Sequence, residues 1–311
     1  MTSAFWRGKG VVVTGCVGFV GSHLVKVLVD TGAVVSGRDL VCDSRAWTAL
    51  GLGDVPVYRG LKYIGGTEII FHLAGAVDVH KCKDDPGRAF LANVQAAHDV
   101  LSSIRIDGQP TLKAAVFASS DRVYGNYAGA AMTEQYMLRP VDVYGATKAA
   151  ADILVSQAAL DGLPVANLRH VNAYGELDPH SNHLIPSAVS SALRWVSPVI
   201  NSDGSPRKSY IHVDDVVRAY MILAEAVANK DARGSYNCAS AMTYSVLEVA
   251  DLVCKLTGGK VTPRVLNIDR SQNGYVECLN TDRLNNLGWE ATIPLPAGLE
   301  RVIEHHICGR H

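Results

Sequence analysis

Gly10-Val11-Val12-Val13-Thr14-Gly15-Cys16-Val17-Gly18-Phe19-Val20-Gly21 reads as a short buried strand running into a glycine turn. The next residues, Ser22-His23-Leu24-Val25-Lys26-Val27-Leu28-Val29, carry apolar side chains at helical spacing, so the glycines sit between a strand and a helix. Without a Cβ the backbone there can approach a pyrophosphate, and the N–H groups and dipole at the start of the helix favour its negative charge. An ordinary strand-to-helix turn uses glycine too, and an acid downstream separates the two accounts. Asp39, after the second apolar run Ala33-Val34-Val35, is placed to accept hydrogen bonds from both hydroxyls of an adenosine ribose, which predicts NAD. Arg38 and Arg45 stand close enough in sequence to meet a 2′-phosphate instead, and that alternative stays open.

Farther on, Tyr144-Gly145-Ala146-Thr147-Lys148 opens a run of helix formers that includes Ala149, Ala150, Ala151, Ile153 and Leu154. Positions four apart share a helix face, so Lys148 is expected near the Tyr144 ring. A free phenol titrates near pH ~10. A neighbouring ammonium, helped by an oxidised nicotinamide ring, favours the phenolate and makes Tyr144 a general base near neutral pH. An isolated Tyr and Lys at this spacing are commonly two surface residues; the stretch upstream gives the pair its meaning. There Ala115-Val116-Phe117-Ala118-Ser119-Ser120-Asp121-Arg122-Val123-Tyr124-Gly125 reads as a buried strand ending in a polar turn. Turns at the carboxyl ends of parallel strands face the ligand crevice. Ser120 can hydrogen-bond a substrate hydroxyl beside Tyr144, although such serines also serve as loop caps.

In this order and spacing the motifs resemble an extended short-chain dehydrogenase/reductase of the NAD-dependent nucleotide-sugar epimerase/dehydratase family. The resemblance covers nearly the whole chain. It takes in Phe71-His72-Leu73-Ala74-Gly75, Asn93 in Ala92-Asn93-Val94, and Leu168-Arg169-His170-Val171-Asn172-Ala173-Tyr174-Gly175. It continues through Tyr210-Ile211-His212-Val213-Asp214-Asp215-Val216 and Leu287-Gly288-Trp289. The fold it implies is α/β, a Rossmann doubly wound parallel sheet with a smaller C-terminal substrate-binding lobe. An NAD-binding Rossmann domain is expected over residues 1–175 with a returning segment at about 210–240, and a nucleotide-sugar-binding lobe over 176–209 and about 241–311. Strand patterns at residues 11–14, 33–36, 69–73, 115–119 and 165–171 alternate with helical ones, which agrees with right-handed crossovers and a parallel sheet.

The same resemblance implies roles for individual residues. Ser120, Asp121, Tyr144 and Lys148 are the expected catalytic group. Gly15, Val17, Gly18, Phe19, Val20, Gly21, Asp39, Leu73, Ala74, Gly75 and Asn93 are expected around NAD, together with Tyr144 and Lys148. Arg122, Asn172, Leu184, Lys208 and Arg270 are expected around a nucleotide-diphosphate sugar, and no metal is implied. The helix after Tyr144 and one around residues 93–101 present apolar faces, which in this family make a four-helix homodimer contact.

Departures from the family pattern carry information. Only 32 residues separate Asp39 from His72, so the second helix and third strand must be short. The stretch Tyr58-Arg59-Gly60-Leu61 lacks the acid that usually holds the adenine amino group. The arginine that contacts substrate phosphate falls on Lys208, a point charge without the planar fork, with Arg207 beside it. Sugar decarboxylases and dTDP-glucose-type dehydratases usually have Glu at the position of Arg122. The order Ser119-Ser120-Asp121-Arg122 is closer to CDP-glucose-type 4,6-dehydratases. Dehydration is therefore the expected reaction: Tyr144 takes the 4-hydroxyl proton, and a protonated Asp121 serves the leaving 6-hydroxyl. The base that removes the C5 proton is not identified by sequence. A 4-epimerase with the same Tyr144/Lys148 pair is the alternative, and a non-catalytic NAD-binding protein a third.

Composition agrees with this class. The chain has 311 residues, 48% hydrophobic and 19% charged, enough for a large core. A net charge of -1 leaves no basic footprint for nucleic acid. Seven scattered cysteines without a CxxC pair fit free thiols in a reducing compartment. The sequence has no apolar run of membrane-spanning length and no apolar core of a leader after Met1, so a cytoplasmic protein is expected.

Overall fold

The structure is a computed structural model and describes residues 3–60, 67–106, 111–126, 131–269 and 275–308. The described strands, in chain order, are β1 (Gly10–Thr14), β2 (Val34–Asp39), β3 (Val57–Arg59), β4 (Ile69–His72), β5 (Ala114–Ser120) and β6 (Val165–His170). They continue with β7 (Asn172–Tyr174), β8 (Val199–Ile200), β9 (Arg207–His212), β10 (Gly234–Cys238), β11 (Thr243–Ser245) and β12 (Arg264–Val265). Seven of them form one sheet in the order β10-β6-β5-β4-β1-β2-β3, and every neighbouring pair is parallel. The chain winds outward from β1 in one direction and then from β4 in the other. That reversal opens a crevice at the carboxyl ends of β1 and β4.

The valines of β1 show why the sheet is covered on both faces. Val11 and Val13 join a core with Leu24 and Leu28 of the helix Phe19–Asp30 and Tyr220 and Leu223 of the helix Val213–Lys230. Val12 belongs to a second core with Val100 and Ile104 of the helix Ala96–Ile106 and Val155 of the helix Val143–Leu160. With helices on both sides, strand residues are buried whichever way they point, hence the unbroken apolar runs.

The second strand runs farther than its apolar residues predict. Gly37, Arg38 and Asp39 pair with β1 or β3, so hydrogen bonding to neighbours on both sides carries the strand to Asp39 despite its polar end. The short connection expected between Asp39 and His72 is a five-residue helix, Arg45–Ala49, and the three-residue β3.

A smaller layer sits beyond the carboxyl ends of the main sheet. There β9 pairs in parallel with β7 and antiparallel with β11, while β8 and β12 form a parallel pair. Ile185 and Val189 of the helix Leu184–Ala192 pack with Val253 of the helix Val246–Leu256 and with Leu299 and Val302 of the helix Leu295–Cys308. Asp215 fastens this part to the sheet: its Oδ2 accepts the Thr292 and Ile293 N–H groups at 3.0 Å, and its carbonyl accepts Trp289 Nε1 at 2.9 Å. The Leu287-Gly288-Trp289 motif is thus a fastening. Among the described residues, no helix is long and apolar enough to cross a membrane.

Candidate active site

The glycine turn leaves β1 through Gly15, whose φ of 68° lies in the left-handed region that glycine tolerates. A Cβ on Gly15 would meet the Ala74 nitrogen at 2.6 Å, so Gly15 also permits close approach of the 73–75 segment. Gly18 precedes the helix Phe19–Asp30, and no side chain caps that helix. Its first N–H groups therefore rely on whatever approaches the turn. Gly18 is exposed, Val17, Phe19 and Gly21 are buried, and Val20 is half-buried. Asp39 stands at the end of β2, its Oδ2 accepting the Val17 N–H at 3.0 Å and its Oδ1 the Leu40 N–H at 2.7 Å. Arg38 stacks its guanidinium 4.5 Å above the Tyr58 ring and donates to Ser36 Oγ at 2.7 Å. An uncapped helix start with an acid at the next strand end fits NAD.

Leu73 and Ala74 are held against β1, with Leu73 N–H on the Thr14 carbonyl at 3.1 Å and Ala74 N–H on Thr14 Oγ1 at 3.2 Å. Gly75 is exposed beside them; a Cβ there would meet Asn93 Oδ1 at 2.6 Å and Lys148 Nζ at 3.3 Å. Asn93 lies within a wide i→i+5 helical turn, Leu91–Gln95, of the kind often found at functional sites. Its amide is committed to protein: Oδ1 accepts the Ala76 N–H at 2.8 Å, and Nδ2 donates to the Ala76 carbonyl and Thr147 Oγ1. Asn93 therefore couples the 73–76 segment to the helix Val143–Leu160.

That helix starts at Asp142, whose side chain accepts the Gly145 N–H at 2.7 Å. Tyr144 and Lys148 occupy successive turns of one face, as their spacing predicts. Burial pushes the Tyr144 phenol up to about 12, against the contact with Ser120 that pulls it down, with Asp121 raising it and Arg122 lowering it. Lys148 donates to the Ala118 carbonyl at 3.0 Å, and burial lowers its ammonium to about 8. Helical spacing brings the two side chains to one face, but burial dominates the phenol.

Ser119 and Ser120, adjacent at the end of β5, point to opposite jobs. Ser119 donates into the core, to Asp152 Oδ2 at 2.6 Å. Ser120 faces Tyr144, donates to Asp121 Oδ1 at 2.9 Å and accepts the Arg122 N–H at 3.2 Å. Tyr144, Ser120 and Asp121 therefore stand in a row, with Ser120 hydrogen-bonded to Asp121. Arg122 lies 3.7 Å from Asp142, so it leans on the residue that caps the Tyr144 helix.

Of the residues expected around a sugar nucleotide, Asn172, Arg122 and Lys208 gather on the same side as Asp121. They do so about Glu277, a residue without any motif. Asn172 Nδ2 lies 3.5 Å from Glu277 Oε2, and Ser209 N–H donates to Glu277 Oε1 at 3.1 Å. Burial and then Asp121 push the Glu277 carboxyl well above the usual carboxylate range. Burial and Arg122 lower the Lys208 ammonium, while Glu277 and Asp121 support its charge. Leu184 is half-buried at the first position of its helix. Arg270 and Leu61 lie outside the described residues. No signal in the sequence marks Glu277: it stands in Tyr275-Val276-Glu277-Cys278, where burial alternates but the buried positions are polar or aromatic. The reading without a metal meets one arrangement in the 178–183 loop: Asp178, His180 and His183 bring possible ligand atoms within 4.8 Å of one another. There the Asp178 carboxylate lies 2.7 and 3.4 Å from the Nδ1 atoms of the two imidazoles.

Known proteins share this architecture. The chain is 26% identical over 323 residues to a trifunctional UDP-glucose 4,6-dehydratase/UDP-4-keto-6-deoxy-D-glucose 3,5-epimerase/UDP-4-keto-L-rhamnose-reductase of Arabidopsis thaliana, covering 97% of this chain and 47% of the plant protein. It spans about half the length of that relative and of two similar plant proteins. A UDP-glucose 4-epimerase of Corynebacterium glutamicum is 30% identical over 321 residues, covering 94% of this chain and 93% of the epimerase. The solved structure of MoeE5 in complex with UDP-glucuronic acid and NAD is similar with a TM-score of 0.84 at 28% identity, covering 96% of this chain and 99% of that one. The model of the NAD dependent epimerase/dehydratase family matches residues 11–239, from within β1 to the residue after β10, and the chain belongs to that family.

Proposed function

We propose that this chain converts a nucleotide-diphosphate sugar by transient oxidation at C4 with bound NAD, and that the outcome is 4,6-dehydration to a 4-keto-6-deoxy sugar. The observation that carries the reading is the run Tyr144, Ser120, Asp121 at the carboxyl end of β5, in which Ser120 faces Tyr144 and donates to Asp121. One end of such a run takes a proton from a sugar hydroxyl, and the other gives one to a leaving oxygen. NAD+, when bound, would supply a hydride acceptor at C4, a hydride donor at C6 and a positive ring that favours the Tyr144 phenolate. Tyr144 takes the O4 proton, with Lys148 behind it on the same helix face. The 4-ketone acidifies C5–H, Asp121 protonates the departing O6, and the sugar loses one water with no external oxidant.

The glycine turn of Gly15, Val17, Gly18, Phe19, Val20 and Gly21 is assigned to the NAD pyrophosphate, and Leu73, Ala74 and Gly75 to its nicotinamide half, with Asn93 ordering the last three. Asp39 is assigned to the adenosine ribose; Arg38, turned onto Tyr58, supports NAD rather than its 2′-phosphorylated form. Arg122, Asn172, Leu184 and Lys208 are assigned to the sugar nucleotide, within a lobe formed by residues 176–209 and about 241–311. Phe90, Leu91, Ile153 and Leu160 are exposed on neighbouring helices, which supports a homodimer built on that apolar face.

A second reading, nucleotide-sugar 4-epimerisation, is favoured by relatives such as the Corynebacterium glutamicum epimerase, whose whole length nearly matches this chain. Mass spectrometry after incubation with NAD and a panel of UDP-, dTDP-, CDP- and GDP-sugars tests both. Loss of one water from a substrate is expected. An epimer of unchanged mass would install the second reading, and no turnover of any nucleotide sugar would overturn both.

A further inference from the structure

Asp178, His180 and His183 share the loop between β7 and the helix Leu184–Ala192, and their possible ligand atoms lie within 4.8 Å of one another. The Asp178 side chain is 2% exposed, while the two imidazoles close it off from solvent at 29% and 46% exposed. The rings stack with centroids 4.5 Å apart and planes 17° apart, and both turn Nδ1 toward the carboxylate, at 2.7 Å for His180 and 3.4 Å for His183. Two further hydrogen bonds fix the loop: the His180 N–H donates to Asp178 Oδ1 at 3.0 Å, and Asn182 Nδ2 donates to Asp78 Oδ2 at 3.4 Å. His183 precedes the helix Leu184–Ala192 without capping it through its side chain, so the ring serves the cluster and not the helix.

Hydrogen bonds alone leave this cluster unbalanced in charge. Burial pushes the Asp178 carboxyl up, and hydrogen bonds from His180 and His183 outweigh burial and hold the group at about 2, so it is a carboxylate. Among the described residues its ion-pair partners are the two imidazoles, and no Lys or Arg pairs with it. One carboxylate balances one imidazolium, and a second proton would set two cations face to face in the stack. With both rings neutral, the buried carboxylate has no cation beside it. A divalent metal ion between the three side chains removes the conflict, because it takes neutral imidazoles and an ionised carboxylate together. One carboxylate with two imidazoles suits zinc, nickel or cobalt, whereas calcium and magnesium call for oxygen ligands throughout. Zinc bonds these donors at about 2.0–2.2 Å, which sets tetrahedral ligand atoms roughly 3.3 Å apart. The 3.4 Å contact has that spacing already, and a small rotation of the His180 ring opens the 2.7 Å one to it.

We propose that Asp178, His180 and His183 bind one divalent transition-metal ion of the zinc class, with the remaining position left to water, and that the ion pins the 178–183 loop. The ion is structural: none of its ligands belongs to the Tyr144, Ser120 and Asp121 group, and no step of the sugar chemistry runs through it. Its consequence lies at the next residue. His183 immediately precedes Leu184, and Asn182 reaches Asp78, the cap of the helix Val79–Asp84 that follows the 73–75 segment. Ordering the loop therefore fixes a side chain assigned to the sugar nucleotide; that consequence rests on the assignment, and the metal site does not.

Zinc chloride titrated into tag-free, chelator-stripped protein tests the site without any nucleotide sugar. Calorimetry, and metal analysis after gel filtration, are expected to give one zinc per chain. His180→Ala and His183→Ala are each expected to weaken zinc binding at least about 10²-fold, since loss of an outer-shell partner already costs about 10–100-fold. His183 is the most exposed ligand, so its variant disturbs the fold least, and circular dichroism checks both variants. Zinc is expected to raise the Tm of the wild type but not of His183→Ala, and magnesium to raise neither. No saturable uptake of zinc, or uptake undiminished in both variants, as binding at His305 and His306 would give, overturns the site. Zinc is also expected to lower KM for a converted nucleotide sugar several-fold in the wild type and not in His183→Ala. An unchanged KM overturns the positioning of Leu184 while the metal site stands, and zinc uptake at the three residues without turnover of any nucleotide sugar keeps the site and removes the proposed function.

Discussion

Arg169 holds Asp152 from two sides, Nη2 on Oδ1 at 2.6 Å and Nε on Oδ2 at 2.9 Å, in a pair whose side chains are 5% and 0% exposed. The same guanidinium donates to Tyr124 at 2.8 Å and to the Glu134 carbonyl at 3.0 Å, and the same carboxylate accepts Ser119 at 2.6 Å. Ser119 and Tyr124 bracket the turn that carries Ser120 and Asp121, and Asp152 lies one helical turn beyond Lys148. The ion pair therefore joins both halves of the candidate site from behind.

Asp152→Ala is expected to destabilise the protein by about 3–5 kcal/mol, because it leaves a buried guanidinium unpaired. Urea unfolding measures the loss, and Asp152→Asn, which keeps the hydrogen bonds without the charge, should lose less. A fall under 1 kcal/mol, on the scale of about 0–1 for exposed pairs, would show the pair to be solvated.

Asp39 predicts a cofactor preference. Its oxygens are fixed by the Val17 and Leu40 N–H groups, and on the proposed assignment to the adenosine ribose its carboxylate would repel a 2′-phosphate. NAD is expected to bind more tightly than NADP by calorimetry. Asp39→Ala is expected to cost about 1.5–3 kcal/mol of NAD affinity, the range for hydrogen bonds to a charged group, and to erode the preference. Equal affinities in the wild type would reject the assignment.

The glycine turn, β1, and the shared face of Tyr144 and Lys148 were legible because each rests on local periodicity. Three features were not. The end of β2 at Asp39 depends on pairing to β1 and β3, which polar residues do not advertise. The Tyr144 phenol depends on burial and on where the Lys148 ammonium turns, and helical spacing sets only Cβ positions. Glu277 depends on a contact between distant segments: Tyr275-Val276-Glu277 has no period of its own, and it acquires its place by bridging to Arg207 of β9.

His72 makes acid stability a testable property. It is buried on β4, its Nδ1 2.8 Å from Thr14 Oγ1, and burial followed by the Lys148 charge lowers it from 6.5 to about 3. Between those values the unfolded chain binds a proton that the folded one does not, so stability is complete above pH 6.5 and falls as pH drops toward 3. The slope for one proton is about 1.4 kcal/mol per pH unit. His72→Gln should flatten the wild-type dependence by that amount across the interval, as read from urea midpoints; parallel curves would show that His72 is protonated in the fold.

Asp121 separates dehydration from epimerisation most directly. In Asp121→Asn the amide oxygen still accepts the Ser120 hydroxyl, and Tyr144 and Lys148 are untouched, so oxidation at C4 is expected to proceed. The amide cannot protonate O6, and water loss should slow by about 10²–10⁴, the usual range for a missing general acid. A single-turnover experiment quenched and read by mass spectrometry should therefore catch a 4-keto sugar that has kept its 6-hydroxyl. A nucleotide sugar lacking that hydroxyl provides the control, since the wild type should oxidise it without completing a cycle of dehydration. If Asp121→Asn turns over at the wild-type rate, or the 6-deoxy sugar is converted to its 4-epimer as readily as its hydroxylated counterpart, then the carboxyl does not serve a leaving oxygen, and the same Tyr144-centred oxidation ends in epimerisation.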